Sequence, residues 1–226
     1  MEYLYETHCH TSQASACGMV SGEELARFYK QKGYDGIIVT DHFFNGNTAI
    51  DQSLDWKTKC ELYCSGYEQA KRVGDEIGLT VMFGIEYSYE GTDLLTYGVD
   101  KDWLIAHPEV MEIDVHEYIK LVHESGGMIV HAHPFREAWY IKMIRLMPYE
   151  VDAVEVFNAG NPDPEFDRRA NWYADSYGLV KTAGSDRHDT QKTEYAATVF
   201  EEKLTGIGDY IRLVKGDKVA RLICER

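Results

Sequence analysis

The chain has 226 residues, 44% hydrophobic and 27% charged, which suits one medium-sized soluble domain with a sizeable core and excludes a disordered chain. Its 38 acidic and 23 basic residues give a formal net charge of -15. That field repels polyanions and argues against an extended nucleic-acid footprint, while a small anion stays acceptable where bound divalent ions reverse the local sign. No apolar run is long enough to cross a bilayer, the start MEYLYETHCH has no basic region followed by an apolar stretch, and the five cysteines are irregularly spaced. The expectation is a protein of the reducing cytoplasm, with no membrane association and with oligomeric state left open.

Tyr3 to His10 alternates as a strand that puts Glu6, His8 and His10 on one face. SGEELARFYKQKG then reads as a helix, with Ser21 as N-cap, Glu24 closing a capping box and Gly33 as the stop. Next, GIIVT is a short buried strand that runs directly into Asp41 and His42. A helical stretch over 53–77 stops at Gly78, and LTVMFGIEYS returns to strand character with Glu86 near its end.

A further strand is expected at 94–99, a helix at 115–124, and the strand MIV leads into HAHPF. Residues 136–146 have helical apolar spacing, VDAVEVFN reads as a strand, and Asp163 with Pro164 opens another helix before LVKTAGSDRHD. This alternation, without repeats or linkers, predicts a single-domain α/β barrel of parallel strands, in which residues at strand ends converge on one rim.

Six of the nine histidines lie in these strand-end motifs, while His107, His116 and His123 fall in helices or loops. His8, His10, His42, Glu86, His133, Asp186 and His188 are all metal-competent and all stand where a strand gives way to a loop. Arg136 in HPFR and Arg187 in SDRH adjoin ligand residues and offer paired donors for a phosphate. Asp186, His131 and His188 are candidates for protonating a leaving group. Cys60 and Cys64 are read as packing residues.

THCHTS, IIVTDH, FGIEYS, IVHAHPF and AGSDRH, in that order over nearly the whole chain, resemble the PHP domain family, named for polymerases and histidinol phosphatase. The resemblance implies a distorted (β/α)7 barrel that binds two or three divalent ions (Zn, Mn or Fe) and hydrolyses phosphate esters with metal-activated hydroxide. It implies that His8, His10, Glu86 and Asp186 hold one ion, that Glu86 bridges to a second bound by His133, and that His42 and His188 serve a third. Two positions depart from the family pattern: Ala16 and Cys17 stand where Asp or His is usual, leaving Cys17 as a thiolate candidate, and Asp93 stands where His is common. His131 is a weaker candidate, as ligand or as partner of a ligand.

The expected substrate is a small phosphomonoester such as a histidinol-phosphate-like metabolite; a phosphodiester, a nucleotide and a phosphotyrosine peptide also suit the family. Two alternatives remain. An amidohydrolase shares the His-x-His strand and late Asp, but usually has a strand-end lysine that is not found here. A metal-binding domain without catalysis would account for the altered ligand positions.

Overall fold

The structure is a computed structural model and describes residues 1–225. Strand β1 (Tyr3–Cys9) is followed by α1 (Gly22–Gln31), where the expected Ser21–Glu24 capping box forms in both directions. Leu25, Ala26 and Tyr29 form the buried stripe of α1; each large side chain contributes about 1.5–3 kcal/mol on leaving water. After β2 (Gly36–Val39) comes the long helix α2 (Trp56–Ile77), capped by Asp55 and stopped by left-handed Gly78. Helices α1 and α2 cross so closely that a Cβ on Gly22 would lie 2.0 Å from the Gly66 carbonyl oxygen.

Strand β3 (Thr80–Tyr89) turns straight back into β4 (Thr92–Tyr97). Glu90 and Gly91, at φ 50° and 84°, form the two-residue loop between paired Tyr89 and Thr92, the backbone a tight hairpin requires. Helices α3 (Lys101–Ala106) and α4 (Val115–Glu124) lead to β5 (Met128–His131), and β6 (Ala153–Asn158), α5 (Pro164–Tyr177) and β7 (Val180–Gly184) follow as expected. The chain then adds β8 (Tyr195–Phe200), α6 (Ile207–Lys215) and β9 (Arg221–Glu225).

The strands form one sheet in the order β7-β6-β5-β4-β3-β2-β1-β8-β9. β1 is shared at its two ends: Tyr3–Tyr5 pair antiparallel with β8, while Cys9 bridges in parallel to Arg187 just beyond β7. His10 N donates to Arg187 O at 2.8 Å and Arg187 N to His8 O at 3.3 Å, which nearly closes the barrel. The α/β barrel expectation therefore holds, with two corrections. Among the described residues the sheet has nine strands rather than seven, and it is mixed, since β4 runs antiparallel to β3 and β5, and β8 antiparallel to β1 and β9.

The helix expected over 136–146 is absent. These residues form an irregular strap with isolated turns, and Trp139 (96% exposed) and Met143 (57%) have no layer to pack on. Apolar periodicity stabilises a helix only when its face is buried. Here Arg136 and Arg145 pin the strap at its ends instead, Arg145 on Glu90.

Candidate metal centre

The barrel rim collects side chains from both ends of the sequence. His8, near the end of β1, and His10, just past it, are fully buried and turned to the same side, with Nε2 of His8 at 3.2 Å from Glu86 Oε1 and Nε2 of His10 at 3.1 Å from Asp186 Oδ1. Glu86 sits within β3 rather than at its end, at the point where the segment after β2 bridges to it through His42. His133 Nε2 lies 3.2 Å from Glu86 Oε1 and 3.9 Å from Asp93 Oδ2. Asp93 reaches this rim because β4 is antiparallel: its start lies beside the end of β3, where the carboxylate accepts from Ser88 Oγ at 2.5 Å.

The donor atoms fall into four overlapping sets, each within 4.8 Å: His10, His42 and His188; His8, His133 and Asp186; His8, His10 and Glu86; and Glu86, Asp93 and His133. Nitrogen and oxygen donors in such sets suit divalent ions. Buried atoms left without hydrogen bonds support this fit. His8 Nε2, His42 Nδ1 and Glu86 Oε2 have no such partner, and the 2.5 Å approach of His42 Nδ1 to Glu86 Oε2 lacks hydrogen-bond geometry. A shared cation would satisfy both atoms.

Neighbouring groups fix which ring nitrogen faces the centre. His8 Nδ1 meets Glu155 Oε1 at 2.9 Å, His10 Nδ1 meets Ser15 Oγ at 3.1 Å, and His188 Nδ1 meets the Asp186 carbonyl at 2.8 Å. Ser15 Oγ donates its one hydroxyl hydrogen bond to Asp41 Oδ1 at 2.7 Å, so it accepts from His10. With Nδ1 donating in all three rings, Nε2 is the nitrogen that offers a lone pair to the centre whenever the ring is neutral. His133 and Asp186 adopt left-handed backbone (φ 28° and 51°), uncommon for residues with a Cβ and typical of sites that the surrounding fold holds in place.

Electrostatics reinforce the arrangement. Burial would raise Glu86 and Asp186, but histidine neighbours, with Arg136 for Asp186, hold both carboxyls well below the usual range. Burial likewise opposes charging of His8 and His42, yet carboxylates carry both well above the ordinary histidine value; His10, dominated by burial and by His188 and His42, is driven well below it. Burial raises Asp93, and the Glu86 charge adds to this.

Among the weaker candidates, His131 is buried edge-on to Tyr173, both ring nitrogens lack partners, and it joins none of the four donor sets among the described residues. Burial pushes it down to about 3. Burial would raise the Cys17 thiol, but His188 and His42 beside it outweigh this and lower it to about 6; Cys17 joins none of the four donor sets among the described residues. Arg136 is at the centre, but its guanidinium is occupied by Asp186 (2.7 Å), Asn158 (2.8 Å) and Asn161 (2.8 Å). Arg187 contributes only its backbone there; its guanidinium points to the Lys192 and Glu194 carbonyls and the Phe28 ring, which corrects its reading as a phosphate clamp.

Sequence reasoning missed Glu155, Asp41, Ser15 and Asn158. The available signal was a charged residue inside an otherwise apolar strand, as in VDAVEVFN. His107, His116 and His123 pair with Glu109, Glu150 and Asp152 outside the four sets, as their positions implied.

No family model matches the sequence, and no curated protein matches it. Solved structures do. A two-domain protein from Bacteroides vulgatus described as containing a predicted PHP-like metal-dependent phosphoesterase matches with a TM-score of 0.70 at 13% identity, over 96% of this chain; the chain spans 64% of that protein's length. A protein from Bifidobacterium adolescentis described as a metal-dependent phosphoesterase matches at 0.56 and 20% identity, over 95% of this chain and 96% of that one. PsfC from Pseudomonas syringae matches at 0.61 and 16% identity, over 98% and 91%. An amidohydrolase from Chromobacterium violaceum, solved with sulfate, matches at 0.56 and 14% identity, over 81% and 87%. The fold is that of the PHP-like barrels.

Proposed function

We propose that this chain is a metal-dependent phosphoesterase acting on a small phosphomonoester, with a histidinol-phosphate-like metabolite as the first substrate to test. The observation that carries the reading is the group of four overlapping donor sets, two of which share Glu86, with ring Nε2 atoms already turned inward by Glu155, Ser15 and the Asp186 carbonyl. Divalent ions in these groups would supply Lewis acidity toward a phosphoryl oxygen and lower the pKa of water.

In this reading Glu86 bridges two positions, one completed by His8, His10 and Asp186, the other by His133 and Asp93. Arg136 acts on Asp186: its contacts to Asn158 and Asn161 fix the guanidinium, which in turn fixes the carboxylate. Asp186, held well below the usual carboxylate range, serves as a ligand rather than as a proton donor. Occupancy of two positions leaves His188, whose side chain is 23% exposed, to deliver a proton to the leaving group. Occupancy of a third instead engages His188 and His42, with Cys17 as a thiolate partner.

Metal analysis of the purified protein together with a phosphomonoester panel in Mn, Zn or Fe tests this directly. Glu86→Ala is expected to lose both metal and hydrolysis. No turnover of any phosphate ester by the metal-loaded protein would sink the reading, and metal loss without a change in hydrolysis would favour a non-catalytic metal-binding domain. The likeness to the Chromobacterium amidohydrolase gives a second reading, cleavage of C–N or C–O bonds at the same centre. None of the motifs THCHTS, IIVTDH, FGIEYS, IVHAHPF and AGSDRH contains the lysine that usually bridges ions in that class, and a panel of cyclic amides beside the phosphate esters separates the two.

A further inference from the structure

A second cavity, of about 450 Å³, opens between the C-terminal end of α1, strands β8 and β9 and the segment that follows β7. Its walls carry Lys32, Arg187, Lys192 and Arg221 against the one carboxylate of the described lining, Glu225. That balance is the reverse of the whole chain, with its net charge of -15. A concave basic surface in an acidic protein concentrates anions.

The cations differ in freedom. Arg221 is engaged by Glu2 at 2.8 Å. Arg187, 3% exposed, lies over the Phe28 ring at 5.5 Å, and carbonyl oxygens rather than carboxylates hold its terminal nitrogens, so its charge is fixed in place and not neutralised by contact. Lys32 and Lys192 are exposed at the mouth. Between them the walls are aromatic, with Phe28, Tyr34 and Tyr195 offering ring surface. The volume exceeds what a bare inorganic anion fills, and the lining matches a ring with a charged substituent.

We propose that this cavity is a second ligand site, for an anion carried on a flat ring, and that its occupancy is read by the metal centre. Three connections run between them. Tyr29, on the cavity wall, donates to Glu6 at 2.6 Å, and Glu6 accepts from the backbone N–H of His8 (2.8 Å) and of Ser185 (2.9 Å). The Arg187 backbone lies between His8 and His10 and closes the barrel. Lys192 and Thr193 belong to the short segment joining His188 to β8, so a ligand that orders one end of it restrains the other.

The test uses metal-loaded protein and ring-bearing anions that a phosphoesterase cannot cleave and that ligate divalent ions weakly, such as naphthalenesulfonate and benzenesulfonate, with naphthalenemethanol as the neutral control. Calorimetry is expected to show one saturable site per chain for the anions, weakened at least about tenfold by the surface double substitution Lys32→Glu/Lys192→Glu. Circular dichroism checks that this variant remains folded. Competition with a chromophoric chelator is expected to show metal affinity shifted by about fivefold or more on ligand saturation, and by linkage the same factor in ligand affinity on metal loading. No binding by any ring anion, binding equal to the neutral control, or binding untouched by charge reversal would overturn the site. Binding without a shift in metal affinity would overturn the coupling. The coupling rests on the metal-centre reading, whereas the binding claim does not, so the two fail separately.

Discussion

Glu155 makes the sharpest test of how the centre is held. The carboxylate is fully buried and accepts three hydrogen bonds: from His8 Nδ1 (2.9 Å) on one oxygen, and from the His133 backbone N–H (3.1 Å) and Asn158 Nδ2 (2.8 Å) on the other. Glu155→Gln keeps the shape but supplies only one acceptor oxygen. If that oxygen faces His8, the new amide confronts two donors. If it faces those donors, His8 loses the partner that keeps Nε2 free. Asn158 cannot relieve the conflict by flipping, because its Oδ1 already accepts from Arg136 and Gly160, each at 2.8 Å.

Each buried donor left unpaired costs about 1–3 kcal/mol. Urea denaturation in chelator is therefore expected to show the ion-free variant destabilised by about 2–4 kcal/mol. Loss of the carboxylate behind a histidine ligand lowers metal affinity about 10- to 100-fold, which chelator competition reads as about 1.4–2.7 kcal/mol. Metal affinity within about twofold of the unaltered protein would refute the claim that Glu155 sets the His8 tautomer.

Gly184→Ala should act on the same pair from the other side, since its Cβ would sit 2.5 Å from both Glu155 Oε1 and His8 Cβ; a stability loss of about 1–3 kcal/mol in denaturant titration is the expected outcome. Arg136→Lys cannot reproduce the three contacts to Asp186, Asn158 and Asn161, so metal affinity should fall at least about tenfold, and an effect confined to KM would instead make Arg136 a substrate clamp. With its thiol lowered to about 6, Cys17 in ion-free protein should be alkylated by iodoacetamide at a rate that rises through pH 6 and levels off above it, because the thiolate is the nucleophile; added metal should protect it if Cys17 is a ligand. Loading the centre to 100 times its dissociation constant should stabilise the fold by about 2.7 kcal/mol over the chelated form, seen as a higher melting temperature.

The strand-end rule brought His8, His10, His42, His133, Asp186 and His188 together because those residues carry metal chemistry and a strand signal at once. It was least informative where one of these was missing. Glu155 looks like an interruption in VDAVEVFN, and only the fold reveals that the interruption faces His8. Asp93 seemed to start a strand rather than end one, and it reaches the rim only because the Glu90–Gly91 turn reverses β4. The 136–146 strap misled for the opposite reason: its periodicity is real, but helix packing depends on a neighbouring layer that a local window cannot see. The same limit applies to Arg187, whose neighbours in sequence serve the centre while its own side chain, at the opposite parity, reaches another cavity.

The seam between β1 and the segment after β7 also bears on how the chain assembles. His8 and Asp186 approach across nearly the full length of the polypeptide, with His8 Nε2 3.5 Å from Asp186 Oδ1. Contacts of such sequence separation form late and slowly, because a long loop must close before they return any stabilisation. An ion held by both residues would tie the first strand to the seventh, as a removable cross-link does. Refolding with metal present should then differ from refolding in chelator chiefly in how fast the closed barrel reopens, since a contact absent from the transition state slows unfolding without speeding folding.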